Sequence, residues 1–97
     1  MSGVADGATT RRERLFELLS YIATREPEGP SLLEIQQHAD FVHGLTWKKT
    51  AEYIHQMQLT GVLTFQGGKV HVNPDNYARL MALMFPDRKA PDVSGIV

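Results

Sequence analysis

The chain has 97 residues, no cysteine, and ten basic against eleven acidic side chains. That is one domain's length with little core to spare, and it excludes disulfides, thiol chemistry and cysteine-held metal. The balance of charge argues against a strongly basic, non-specific coat for nucleic acid, and no stretch approaches the roughly 20 apolar residues of a membrane span.

Residues 1–8 (MSGVADGA) and 87–97 (DRKAPDVSGIV) are small and polar with no apolar period, so both are expected to be disordered tails flanking a domain of residues 9–86. The N-terminal residues show no basic-then-apolar signal pattern, and a cytoplasmic protein is expected. Thr10 and Glu13 have capping-box spacing, and Leu15, Leu18, Leu19, Ile22 and Ala23 recur at helical intervals, predicting a first helix over about 10–26. Pro27, Gly29 and Pro30 stop it. Ser31 and Glu34 form a second capping box, and a second helix is expected to bury Leu32, Ile35, Ala39 and Val42 before Gly44 ends it in a left-handed cap.

Thr46 is a good N-cap for a third helix over about 47–60. With Ile54 at the centre of its inner face, Trp47, Thr50, Ala51 and Met57 fall on the core side at about 100° per residue, so Trp47 is expected inside. Lys49, Glu52 and Gln56 fall opposite, flanked by Lys48, Tyr53 and His55. Next come two alternating runs, VLTFQ and KVHVN, joined by Gly67-Gly68, a dipeptide suited to a two-residue hairpin turn. That turn sets Gln66 opposite Lys69, Phe65 opposite Val70, Thr64 opposite His71 and Leu63 opposite Val72. Leu63, Phe65, Val70 and Val72 then share an apolar face, with Thr64, Gln66, Lys69 and His71 on a polar one. Asn73 caps and Pro74 opens a fourth helix, expected to run to about Phe85.

The order helix, helix, tight turn, helix, hairpin, helix makes a mainly α fold with a small β-hairpin, and over residues 10–85 the sequence resembles the winged helix-turn-helix superfamily. The stretch TAEYIHQMQLTGVLTF carries the resemblance: Ile54, then Met57, Gly61, Val62 and Leu63 stand as they do where the recognition helix of that superfamily runs into the first strand of the wing. The chain is similar to small bacterial and archaeal transcription regulators, some of which dimerise through a terminal helix. The resemblance implies a DNA-binding regulator, nucleoid-associated, whose third helix enters the major groove of duplex DNA.

On that expectation Lys48, Lys49, Glu52, Tyr53 and Gln56 are the candidate contacts, the lysines to phosphate, Gln56 to adenine and Glu52 to a cytosine amine. Lys69 at the wing tip is a candidate for the backbone, and Arg11 and Arg12 are candidate anion contacts in a helix's first turn, where positive charge opposes the dipole. Tyr77, Leu80, Met81 and Met84 form one stripe of the fourth helix, yet Leu83 and Phe85 are apolar too. A homodimer through Leu80, Leu83, Met84 and Phe85 is therefore expected. The alternative is a winged-helix module that binds protein through the same surfaces. No pair among His38, His43, His55 and His71 has the i, i+4 spacing of a zinc clamp, so no metal site is expected. No nucleophile elbow or phosphate loop is present. Neither an enzyme nor a cofactor or small-molecule site is expected.

Overall fold

The computed structural model describes residues 7–93, with side chains from residue 11 onward. The elements are α1 (Gly7–Thr24), α2 (Leu32–His43), α3 (Trp47–Leu59), β1 (Leu63–Gln66), β2 (Lys69–Val72) and α4 (Pro74–Met84). The fold is thus a small α+β arrangement of four helices and one antiparallel hairpin, in the expected order. No helix among the described residues is long and apolar enough to cross a membrane. The expected tail residues 1–6 and 94–97 lie outside the described residues.

The helix ends follow from local chemistry. Ser31 Oγ accepts from the Glu34 amide while Glu34 Oε1 accepts from the Ser31 amide, closing the capping box that opens α2. At its other end the Gly44 amide donates to Asp40 and the Leu45 amide to Ala39. Thr46 Oγ1 caps α3 through the Lys49 amide, and Asn73 Oδ1 caps α4 through that of Asn76. Past α3 the Gly61 amide donates to Gln58 and that of Val62 to Met57, the paired bonds of a Schellman ending. The exception is Thr10, which lies inside α1 because the helix already begins at Gly7; its side chain is outside the described residues.

The hairpin has the expected register: Leu63 pairs with Val72, Thr64 with His71, Phe65 with Val70 and Gln66 with Lys69. Gly67 and Gly68 carry φ of 58° and 78°, the positive pair that a tight two-residue hairpin turn requires. The outer edge of β2 is covered by the α1–α2 connection. The Val70 amide donates to Pro30 O at 2.8 Å, and the Val72 amide donates to Glu26 Oε2 at 2.8 Å. Gly29 makes this closeness possible, since a Cβ there would stand 2.6 Å from Val70 O. Covering the edge removes a row of unpaired amides open to another chain's strand.

α1 lies at the centre. Leu18, Leu19 and Ile22 are buried against Ile35 and Ala39 of α2, Ile54 of α3 and Leu63, Val70 and Val72 of the hairpin. Thr50 is buried among them, its hydroxyl donating to Thr46 O, so it leaves no unpaired polar group inside.

Four expectations about burial are corrected. Phe65 is 41% exposed, although Val70 opposite it in the hairpin is fully buried: α1 packs against β2, the strand that carries Val70. Trp47 is 48% exposed: its angular position is inward, but as the first residue of α3 it lies beyond the core layer formed by Thr50 and Ile54. Val42 is 54% exposed, although it lies only about 40° from the inward direction that Ile35 and Ala39 mark: it stands in the last turn of α2, past Ala39, the last buried residue of that helix. His71, expected on a solvated face, is 19% exposed and holds Glu26 Oε1 at 2.9 Å.

Residues 87–93 do not trail away as their composition suggests. After Phe85 the chain folds back over α1 and α4. Phe85 meets Phe16 edge-on at 5.1 Å between ring centroids, Tyr77 Oη donates to Pro91 O at 2.9 Å, and Val93 is buried. Arg88 lies 3.9 Å above the Phe16 ring and donates to both oxygens of Glu13. Burial, then the Asp92 charge, pushes the Tyr77 phenol up to about 12.

Candidate functional site

The outward face of α3 is where the residue pattern placed it. The inner face is pinned by Thr50 and Ile54, so Lys48, Lys49, Glu52, His55 and Gln56 are exposed and Tyr53 is half-buried. Arg11, from the first half of α1, joins them. Arg11, Lys49, Glu52, Tyr53 and Gln56 wall a shallow groove of about 250 Å³. Five of the expected contacts thus come together from two helices far apart in sequence.

The charge in this groove is partly spent internally. Lys49 Nζ lies 3.5 Å from Glu52 Oε1, one helical turn away, and both side chains are more than half exposed. Such a pair is worth only about 0–1 kcal/mol in water, so an incoming phosphate can compete with Glu52 for the lysine. Lys48 makes no ion pair among the described residues. The groove therefore offers Arg11 and Lys49 as cations, Gln56 as a paired donor and acceptor, and the Tyr53 ring as a flat apolar wall.

The remaining expected contacts lie elsewhere. Lys69 is exposed on the hairpin, where its charge helps hold the Glu34 carboxyl below its usual range; the larger cause is the bond Glu34 accepts from the Ser31 backbone amide, and Arg25 adds to it. Arg12 turns to the C-terminal end of α4, donating to Met84 O with its guanidinium 5.0 Å above the Phe85 ring. That contact satisfies a carbonyl left open at a helix end and places a cation at the negative end of the helix. No local signal identifies this use of Arg12, since its partner is 72 residues away.

Among the expected dimer residues, Leu83 is 79% exposed, Leu80 and Met84 are half-buried, and Phe85 is 2% exposed. Phe85 is corrected from interface to core: the chain beyond it returns and packs it onto Phe16. A larger concavity of about 740 Å³ lies between α4 and the returning segment, bordered by Tyr77, Met81, Phe85, Arg88, Pro91 and Val93. Of its polar groups, Tyr77 Oη donates to Pro91 O and Arg88 to Glu13 of α1.

A cluster that the sequence reading did not single out lies between α1 and α2. The His38 ring stacks on Tyr21 at 3.9 Å, His43 meets His38 edge-on at 5.7 Å, and Arg25 Nη1 donates to Tyr21 Oη. Burial, then the neighbouring His43, pulls the His38 imidazole below its usual value, and Glu17 opposes them. The i, i+4 spacing of Tyr21 and Arg25 was a readable sign; the stacking across helices was not. No group of three or more His, Cys, Asp or Glu side chains among the described residues is placed to hold a metal ion.

No family model matches the chain, and searches of curated proteins and of solved structures likewise find no match.

Proposed function

We propose that this protein is a winged helix-turn-helix DNA-binding protein, a transcriptional regulator that reads the major groove of duplex DNA with α3 and acts as a homodimer. The observation that carries the reading is the α3 face itself: Lys48, Lys49, Glu52 and Gln56 are exposed on one side of a helix whose other side is buried, and Arg11 flanks them. A helix so presented fits the width of the groove, with amide and carboxylate groups at the level of base edges and cations at the level of phosphates. The hairpin follows immediately, with Lys69 at its tip as a backbone contact. Leu83, with Leu80 and Met84 beside it, is the natural place for the homodimer contact now that Phe85 belongs to the core.

A salt-titrated binding assay on random and selected duplexes tests the reading. Lys48→Ala and Lys49→Ala should weaken binding to every sequence and flatten the salt dependence by about one unit each. Gln56→Ala should relax sequence preference instead. Well-folded protein that binds no duplex at low salt would refute DNA recognition.

A second reading, a module that binds protein, is favoured by a different observation. Phe41, Trp47 and Leu33 are large apolar side chains left outside the core on the helix-turn-helix unit, at 92%, 48% and 49% exposed.

A further inference from the structure

Three arginines on or beside α1 are used differently. Arg12 donates to Met84 O at the end of α4, and Arg25 donates to Tyr21 Oη and pairs with Glu34. Arg11 makes no ion pair among the described residues. It lines the groove on α3 instead, with Lys49, Glu52, Tyr53 and Gln56. Arg11 and Lys49 against Glu52 leave that lining one positive charge in excess. Like charges brought together from two helices repel, and an anion between them relieves the repulsion.

The pairing of Lys49 with Glu52 does not close the groove to such an anion. Its 3.5 Å separation is longer than the roughly 2.7–2.9 Å of a charge-assisted hydrogen bond. Lys49 therefore keeps its ammonium donors for an oxygen that comes closer. Arg11 adds a planar fork that matches two oxygens of one phosphate.

Size and position choose the ligand. The groove holds about 250 Å³, below the roughly 300–1,000 Å³ that enclose a small molecule. It suits a single anionic group of a larger polymer. Lys49, Glu52 and Gln56 also belong to the face of α3 that enters the major groove in the DNA reading, so the polymer that fits is duplex DNA.

We infer that Arg11 of α1 and Lys49 of α3 hold one and the same backbone phosphate of duplex DNA, and that Glu52 gives up Lys49 to it. The inference rests on the DNA reading of α3 and deepens it. The exchange of partners ties the phosphate contact to base recognition. While Lys49 is paired with Glu52, that carboxylate is occupied. Once Lys49 turns to phosphate, Glu52 is released to accept from a base edge.

Salt-titrated binding of the full chain to random duplex tests both parts. Each phosphate neutralised adds about 0.9 to the salt slope, so Arg11→Gln should flatten it by about one unit, as Lys49→Ala does. The same phosphate is lost in either case, so the two substitutions together should flatten it by about one unit, not two. Arg11→Lys should keep the wild-type slope. Arg79→Gln, which removes an exposed cation of α4 outside the groove, should leave the slope unchanged. Glu52→Gln should tighten binding about threefold at low salt, and the gain should vanish in Lys49→Ala protein. Additive slope losses overturn the shared phosphate, as does a loss from Arg79→Gln equal to that from Arg11→Gln. A gain from Glu52→Gln that persists without Lys49 overturns the exchange. Wild-type protein that binds no duplex refutes the DNA reading and this inference together, whereas duplex binding with additive losses refutes the inference alone.

Discussion

Phe41 and Phe85 each stand at or near the C-terminal end of a helix, and they meet opposite fates. Phe85, the C-cap of α4, is 2% exposed; Phe41, in the last three residues of α2, is 92% exposed. The difference lies in where the chain goes next. After α4 it turns back, and Arg88, Pro91 and Val93 close over α1 and α4 with Phe85 beneath them. After α2 only Gly44, Leu45 and Thr46 precede α3, and Leu45 alone of these goes inward. A tight turn leaves no chain with which to cover the face behind it. An apolar residue near a helix end thus becomes core or surface according to the length and path of the next connection.

The sharpest test of the comparison is truncation of the two rings. Phe85→Ala should cost about 3–5 kcal/mol of unfolding free energy, the range for an aromatic ring lost from a core. Phe41→Ala should stay within about 0.5 kcal/mol, as exposed substitutions usually do. Guanidinium unfolding of both variants measures the contrast, and equal losses would break it.

A second test concerns coverage by a connection at the other end of the molecule. Glu26 has a side-chain exposure of 4% and accepts from both the Val72 amide and the His71 ring. Glu26→Ala leaves that buried amide unpaired and should destabilise by about 1–3 kcal/mol. Hydrogen exchange at the Val72 amide should quicken more than at the Val70 amide, whose acceptor is Pro30 O. Unchanged exchange at Val72 would mean that the connection does not protect the strand edge.

The returning segment should contribute less through charge than through cover. Glu13 and Arg88 are 56% and 32% exposed at the side chain, so a double-mutant cycle between them should yield no more than about 1 kcal/mol. Burial at Val93 should matter more: Val93→Ala should lower stability by more than the cycle's coupling energy.

The smallest expected effect is a pH dependence at the α1–α2 joint. The folded-state value of His38 is lowered from the ordinary 6.5 by burial and His43, so the unfolded chain takes up a proton there before the folded one does. Stability from His38 is complete above pH 6.5 and is lost as pH falls below it, until the folded ring also protonates. His38→Gln should flatten unfolding curves across that window, and a wild-type curve that rises on acidification there would contradict the assignment.

Much of the fold could be read from short-range chemistry. Ser31 with Glu34, Thr46, Asn73 and Pro74 set the helix starts, and Gly67-Gly68 set the hairpin register, because caps and tight turns are complete within a few residues. The outward face of α3 followed from setting Ile54 at the centre of an inner face with Trp47, Thr50, Ala51 and Met57, even though Trp47 itself stays half exposed. Tertiary structure decided which apolar faces were covered and which cations stayed available. Arg12 was drawn to the end of α4 and Phe85 to Phe16, while Arg11 remained beside α3. Periodicity assigns a side chain a direction from its helix axis. What lies in that direction depends on contacts such as Arg12 with Met84 and Arg88 with Glu13, 72 and 75 residues apart, and those exist only once the chain has returned on itself.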